Sequence, residues 1–266
     1  MYDFTYHRAG DLDEASALLA EHDDAKIVAG GQSLLPMMKF RLASPSDLVD
    51  LGKIEGLDGI ARDDDALVIG ALARHVAVHT SPIVRECIPA LAALAGLIGD
   101  PAVRHRGTLG GSLANNDPTA DYPAAALALG ATVVTTRREI AAADFFTGLF
   151  ETVLEPDEII TAVRFRIPEK AAYEKFRNPA SRYAIVGVFV AKHADGVRVA
   201  VTGAGASGAF RVPSFEAALA ADFSPDALRG LTIPTEGLAS DIHASAEYRA
   251  HLVGVMARRA VAAANG

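Results

Sequence analysis

One cysteine, no tryptophan and no run of basic residues set the first limits on this 266-residue chain. The lone Cys87 excludes an internal disulfide and any iron–sulfur cluster ligated by this chain alone. Among apolar neighbours in Ile83-Val84-Arg85-Glu86-Cys87-Ile88, it reads as a structural thiol. A net charge of −8, with lysine and arginine nowhere clustered, argues against nucleic acid as a partner. The longest apolar runs, such as Pro123 to Leu129, fall far short of the ~20 residues of a membrane span. The opening Met1-Tyr2-Asp3 has neither a basic n-region nor an apolar h-region, so a cytoplasmic rather than secreted protein is expected. Neither G-x-G-x-x-G nor G-x-x-x-x-G-K-[ST] occurs, which removes the Rossmann and P-loop readings. His75 and His79 stand four apart on a predicted helix, but no H-E-x-x-H accompanies them. His22, His193 and His251 read as surface positions, and no metal site is expected.

What is present is core. At 266 residues the chain is long enough for about two domains, and with half its residues apolar large buried cores are available. Asp11 and Glu14 have the spacing of a capping box ahead of helical sequence. Short strands are predicted at Lys26–Ala29, Leu48–Leu51, Leu67–Gly70, Thr132–Thr136 and Glu158–Ile167. Helical sequence is predicted at Arg74–His79, Pro89–Ile98 and Pro123–Leu129, and from Ser214 to the end. Tyr183–Ala191 and Val197–Thr202 read as antiparallel strands joined around Ala194-Asp195-Gly196, where Asp-Gly is a hairpin signal. Phe145, Phe146 and Phe150 read as core. The class is α+β, in three units: residues 1–53, 54–168 and 169–266.

Two glycine loops carry the chemistry. Ala29-Gly30-Gly31-Gln32-Ser33-Leu34 follows a strand, and Ser33 is placed to cap a helix. Thr108-Leu109-Gly110-Gly111-Ser112 repeats the pattern. Glycine permits close backbone approach and positive φ, and successive N–H groups at a helix start form a nest for an anion such as a diphosphate. Each loop is expected to contribute such donors, although each pattern alone also fits an ordinary tight turn. Asp121 follows as a carboxylate suited to sugar hydroxyls. Arg104 and Arg106 are expected to pair with Asp100 and neighbouring acids.

The two loops, together with Val103-Arg104-His105-Arg106-Gly107 and Leu113-Ala114-Asn115-Asn116-Asp117-Pro118-Thr119-Ala120-Asp121, resemble the FAD-binding medium subunits of the molybdenum hydroxylases. That family includes the medium chain of carbon monoxide dehydrogenase and the flavin domain of xanthine dehydrogenase. Ile69-Gly70-Ala71, Ala172-Tyr173-Glu174-Lys175 and Ser240 to Arg249 extend the likeness over nearly the whole chain. The resemblance implies a two-subdomain FAD-binding fold of the vanillyl-alcohol-oxidase/PCMH type, plus a C-terminal domain with a small antiparallel sheet and helices. It implies FAD held by Ala29, Gly30, Gly31, Gln32, Ser33 and Leu34 from one side and by Thr108, Gly110, Gly111 and Ser112 from the other. Asp121 would bind a hydroxyl of the sugar or ribityl chain, Ile160 would border the adenine, and Lys175 would approach the flavin's polar edge. Tyr183 would stack on the isoalloxazine. Asn115 stands where the family often has His, and Arg182 where it often has Asp; Arg182 is expected to face solvent. Gln32 occupies a place where related flavoproteins can carry a covalent histidine link, so the FAD would be non-covalent.

The resemblance further implies an oxidoreductase subunit without a substrate site of its own. A large subunit would carry the molybdenum cofactor and a small one two [2Fe–2S] clusters, arranged as a dimer of heterotrimers. This chain would pass electrons to an acceptor such as a quinone or NAD. The alternative is a self-sufficient NADPH-dependent flavin reductase of the same fold, which needs a proton donor near flavin N5; no convincing Ser or Cys stands in the C-terminal region. A binding or assembly module without redox activity is the remaining reading.

Overall fold

A computed structural model describes residues 1–266. The first unit is built from β1 (Thr5–Arg8), α1 (Leu12–Glu21), β2 (Lys26–Val28), α2 (Leu34–Lys39) and β3 (Asp47–Asp50). Its strands form a parallel sheet in the order β1-β3-β2. The capping reading holds at α1: Asp11 accepts from the Glu14 N–H at 2.8 Å, and Glu14 reaches back to the N–H of Gly10. The core here is small, formed by Ala9, Ala15, Leu19, Ala25, Val49, Leu51 and Ile159.

The second unit begins with β4 (Ile60–Asp63) and β5 (Ala66–Gly70), then runs through short helices. These are α3 (His75–Thr80), α4 (Pro82–Cys87), α5 (Pro89–Gly96), α6 (Pro101–Arg106), α7 (Leu109–Asn115) and α8 (Tyr122–Ala128). It closes with β6 (Thr132–Thr135), β7 (Glu139–Ala141), α9 (Ala142–Phe145), β8 (Phe146–Gly148), β9 (Glu151–Thr152) and β10 (Ile160–Arg166). The sheet order is β4-β5-β10-β6-β7, with β8 and β9 as a separate hairpin. Proline at the first turn of α4, α5, α6 and α8 starts each helix where no N–H is needed.

The third unit holds β11 (Lys170–Arg177), β12 (Ala184–His193), β13 (Gly196–Thr202), β14 (Phe210–Arg211), α10 (Pro213–Ala221) and α11 (Ala246–Asn265). The four strands pair antiparallel in sequence order. His193 pairs with Gly196, so the two turn residues are Ala194 and Asp195, one place earlier than an Asp195-Gly196 turn; Gly196 opens β13 at φ +137°. One sheet face packs on α5 and α8, and the other lies under α10 and α11. Burial on both faces explains why β12 reads as an unbroken apolar run.

Several expectations are corrected. Residues 229–245 are not helical; α11 begins at Ala246 behind a Ser245 cap. Ser33 does not cap α2, because its backbone is already in the helical region and its side chain makes no cap bond. Phe150 is 56% exposed, at φ +56° in the turn between β8 and β9. His193 is buried rather than superficial, near the Ala128 carbonyl, and burial lowers its pKa. No helix is long and apolar enough to cross a membrane.

Candidate flavin cleft

A cleft of about 850 Å³ opens between the three units, near the upper end for small-molecule sites. Every residue that the resemblance assigns to the cofactor lines it: Ala29, Gly30, Gly31, Gln32, Ser33, Leu34, Thr108, Gly110, Gly111, Ser112, Asn115, Asp121, Ile160, Lys175 and Tyr183. The three units thus bring together positions scattered from the first to the last sheet.

The two glycine loops are not equivalent. In the first, the N–H groups of Gly30, Gly31, Gln32, Ser33 and Leu34 donate to no acceptor within the chain. Gly31 sits at φ +69°, a conformation that aligns successive amides and that side chains rarely adopt. In the second loop the amides are already engaged. Leu109 N–H donates to the Ala73 carbonyl (3.0 Å), Gly110 to Ala71 (2.8 Å), and Ser112 to Thr108 (3.1 Å). Gly111 N–H donates to the Thr108 hydroxyl at 3.2 Å, which caps α7. A second set of free donors is therefore absent; this loop offers a smooth wall with the hydroxyl of Ser112 and the amide of Asn115. The loops approach so closely that a Cβ on Gly30 would lie 2.2 Å from the Arg106 carbonyl oxygen.

Asp121 is buried at the N-terminus of α8 and already engaged. It accepts from the Tyr173 hydroxyl at 2.5 Å and from Lys175 Nζ at 2.8 Å. Tyr173 and Lys175 alternate along β11, so the pleat turns both toward α8. Burial raises the Asp121 pKa, while the Lys175 ammonium and the Tyr173 hydroxyl act in the opposite direction. The Tyr173 phenol is pushed well above its ordinary value, chiefly by burial. The sequence pointed to Asp121 and Lys175; Tyr173, which completes the group, was missed although its period-two spacing from Lys175 was visible.

Other buried polar residues at the cleft or just behind its wall were not foreseen. Glu158 is buried, held by Arg138 at 2.9 and 3.0 Å and by Thr135 at 2.7 Å. The Arg138 guanidinium leads in lowering its pKa to about 2. Asn116, beside Asn115, is fully buried at φ +39° and donates to the carbonyls of Gly148 and Glu151. His75 is buried against the cleft with no partner for Nδ1, and burial lowers its pKa to about 4, so its imidazole is neutral.

At the mouth, Tyr183 is half-exposed and its phenol pKa is raised by burial and then by Asp117 and Asp121. Arg182 is exposed, at φ +64°. Phe150 stands at the same cleft. Arg104 does not pair with Asp100; it donates to the carbonyls of Ile98 and Gly99, and Asp100 caps α6 instead.

A row of unengaged amides, a facing glycine wall that leaves no room for side chains, and apolar flanks from Ile98, Val103, Leu154 and Ile160 suit a long ligand with a diphosphate and flat apolar rings. The residues fit FAD. Comparison with known proteins agrees in kind. The family described as the FAD binding domain in molybdopterin dehydrogenase matches residues 2–170. The carbon monoxide dehydrogenase medium chain of Hydrogenophaga pseudoflava is 36% identical, over 98% of this chain and 96% of its own. The nicotine 6-hydroxylase medium subunit of Paenarthrobacter nicotinovorans is 37% identical, over 96% and 95%. Among solved structures, carbon monoxide dehydrogenase from Oligotropha carboxidovorans superposes with a TM-score of 0.90 at 34% identity, covering 99% and 98% of the two chains. Quinoline 2-oxidoreductase from Pseudomonas putida 86 gives 0.89 at 32% identity, over 99% and 97%. None of these relatives is named as an NADPH-dependent flavin reductase.

Proposed function

The chain belongs to the family of FAD-binding domains in molybdopterin dehydrogenases, an oxidoreductase subunit, and on that premise we propose that it is the electron-transferring flavin subunit of a molybdenum hydroxylase complex. The observation that carries the reading is the row of unengaged amides from Gly30 to Leu34, opposite Gly111 in the cleft.

In this reading the free N–H groups of Gly30 to Leu34 hold the diphosphate by hydrogen bonds, and the positive end of α2 adds to the attraction. The wall Thr108 to Ser112 excludes water from the opposite side, with Ser112 as a further donor. Asp121 turns toward the ligand only as part of the Lys175–Tyr173 group. That group fixes its orientation and leaves Lys175 as the cation nearest the polar rim of the rings. Ile160 borders the adenine, Tyr183 covers the isoalloxazine face, and Asn115 lies along the chain between them. Bound FAD supplies two-electron storage with release in single steps. Gln32 offers an amide where a covalent link would need a histidine, so the flavin is held without one.

The same reading places the molybdenum cofactor on a large partner subunit and [2Fe–2S] clusters on a small one, in a dimer of heterotrimers in the cytoplasm. It also divides the chain into units 1–53, 54–168 and 169–266. Iron–sulfur clusters on the small partner would supply electrons to the FAD held by this chain, and an external acceptor would take them.

The test is direct. Purified chain titrated with FAD is expected to bind one equivalent, and acid precipitation is expected to release all of it into the supernatant. Gly111→Asp sets a carboxylate between the loops and is expected to abolish retention. Full FAD occupancy in that variant overturns the assignment of this loop, and co-purification without molybdenum and iron overturns the complex.

A further inference from the structure

His7 on β1, His22 at the C-cap of α1 and Asp47 at the head of β3 converge outside the cleft. Their ligating atoms all lie within 4.8 Å of one another. His7 Nε2 is 2.7 Å from one Asp47 oxygen, and His22 Nδ1 is 3.6 Å from the other. The two imidazoles are stacked, centroids 5.5 Å apart at 27°. Asp47 is nearly enclosed, with 8% of its side chain exposed, while His7 and His22 keep 24% and 34%. The carboxylate is thus fixed and two imidazoles face it, with one side open to water.

We propose that His7, His22 and Asp47 form a site for a divalent transition metal, Zn²⁺ by its ligand set, that clips β1, α1 and β3 together. Two imidazoles and a carboxylate are a common three-ligand set for zinc, with water in the fourth position. Bonds of about 2.0–2.2 Å in tetrahedral geometry put ligand atoms roughly 3.3 Å apart. The His22 to Asp47 distance of 3.6 Å is near this value; because the two rings face different Asp47 oxygens, small shifts of both partly exposed rings are needed to share one metal. The site joins the three elements that enclose the smallest core of the molecule, where a metal crosslink adds most. It lies at the head of β3, whereas the glycine loop leaves the parallel sheet level with Asp50, about 10 Å further along the strands. None of the three ligands lines the flavin cleft, although Asp24 to Lys26, just after His22, do. Wide spacing in sequence hides it; only the βαβ fold brings the ligands together.

Tag-free full-length chain, stripped with a chelator, is titrated with Zn²⁺ by calorimetry. One saturable site per chain is expected, weakened by more than about 10-fold in both His7→Ala and His22→Ala. Co²⁺ in place of Zn²⁺ is expected to give the visible bands of a four-coordinate site, lost in His22→Ala. His22 is a partly exposed cap residue, so this variant carries the test should His7→Ala not fold. No saturable site in the parent chain, or binding at parental strength in a folded variant, overturns the proposal.

Discussion

Replacing Gly30 by alanine isolates the close approach of the two glycine loops. The backbone at Gly30 is not in the left-handed region, so alanine brings no conformational strain of its own. Its methyl carbon, however, would sit 2.2 Å from the Arg106 carbonyl oxygen and 2.7 Å from Gly107 Cα, both backbone atoms. Restoring an ordinary 3.4 Å contact requires the loops to part by about 1.2 Å. Overpacking of this kind typically costs about 1–3 kcal/mol. If the ligand-free chain opens to relieve it, the cost reappears when FAD draws the loops together, as roughly 5- to 150-fold weaker binding. If it does not open, the same amount is lost from folding stability. Urea unfolding of the ligand-free chain and FAD titration, measured on one preparation, capture both. Gly59→Ala is the matched control: its methyl would meet only the Gly56 carbonyl at 3.8 Å, and removal of glycine there stabilises by about 0.4–1 kcal/mol. A Gly30→Ala chain that equals the Gly59→Ala chain in both measurements refutes the reasoning.

Lys175→Met leaves the buried Asp121 carboxylate without its cation and is expected to cost about 3–5 kcal/mol in urea unfolding. Adding Asp121→Asn is expected to recover part of the loss, and strictly additive effects would show that the two groups do not interact. His75 gives a pH dependence. Its folded pKa of about 4 lies below the ordinary 6.5, so the unfolded chain takes up a proton first as pH falls. Stability present above pH 6.5 is then lost between 6.5 and about 4, by on the order of 3 kcal/mol, and a His75→Gln chain is expected to show a flatter profile in that window. A parental profile in His75→Gln would assign the loss to other groups.

The parts of the fold that the sequence disclosed are those with strong local signals. The Asp11 cap and the apolar run of β12 each follow from neighbours in sequence and are found; the hairpin after β12 is found too, with its turn at Ala194-Asp195, one residue before the Asp-Gly pair. β1 and β4 were not legible, because their side chains are largely exposed and no alternation survives. The short helices α4, α6 and α7 were hidden in stretches broken by proline or glycine, where fewer than two turns leave no periodicity. Within the cleft, glycine spacing located both loops but said nothing of where their amides bond. That depends on Ala71 and Ala73, contributed by a distant segment. Arg104 failed for a related reason: loop carbonyls, invisible in composition, compete for a guanidinium as well as acids do.

The unlike hydrogen bonding of the two loops has a consequence for how a flavin would be acquired. One half of the clamp, Leu109 to Ser112, is complete as soon as the chain has folded and is shielded from exchange with solvent. The other half, Gly30 to Leu34, stands on the unit with the smallest core and keeps its amides in contact with water until a ligand replaces it. Loading therefore proceeds against a fixed wall, with the ordering confined to one short segment. In deuterated solvent the amides of 30–34 would exchange freely in the empty chain and slow on loading, while those of 109–112 would be slow in both. The cofactor would then finish the first unit, much as a last strand finishes a sheet.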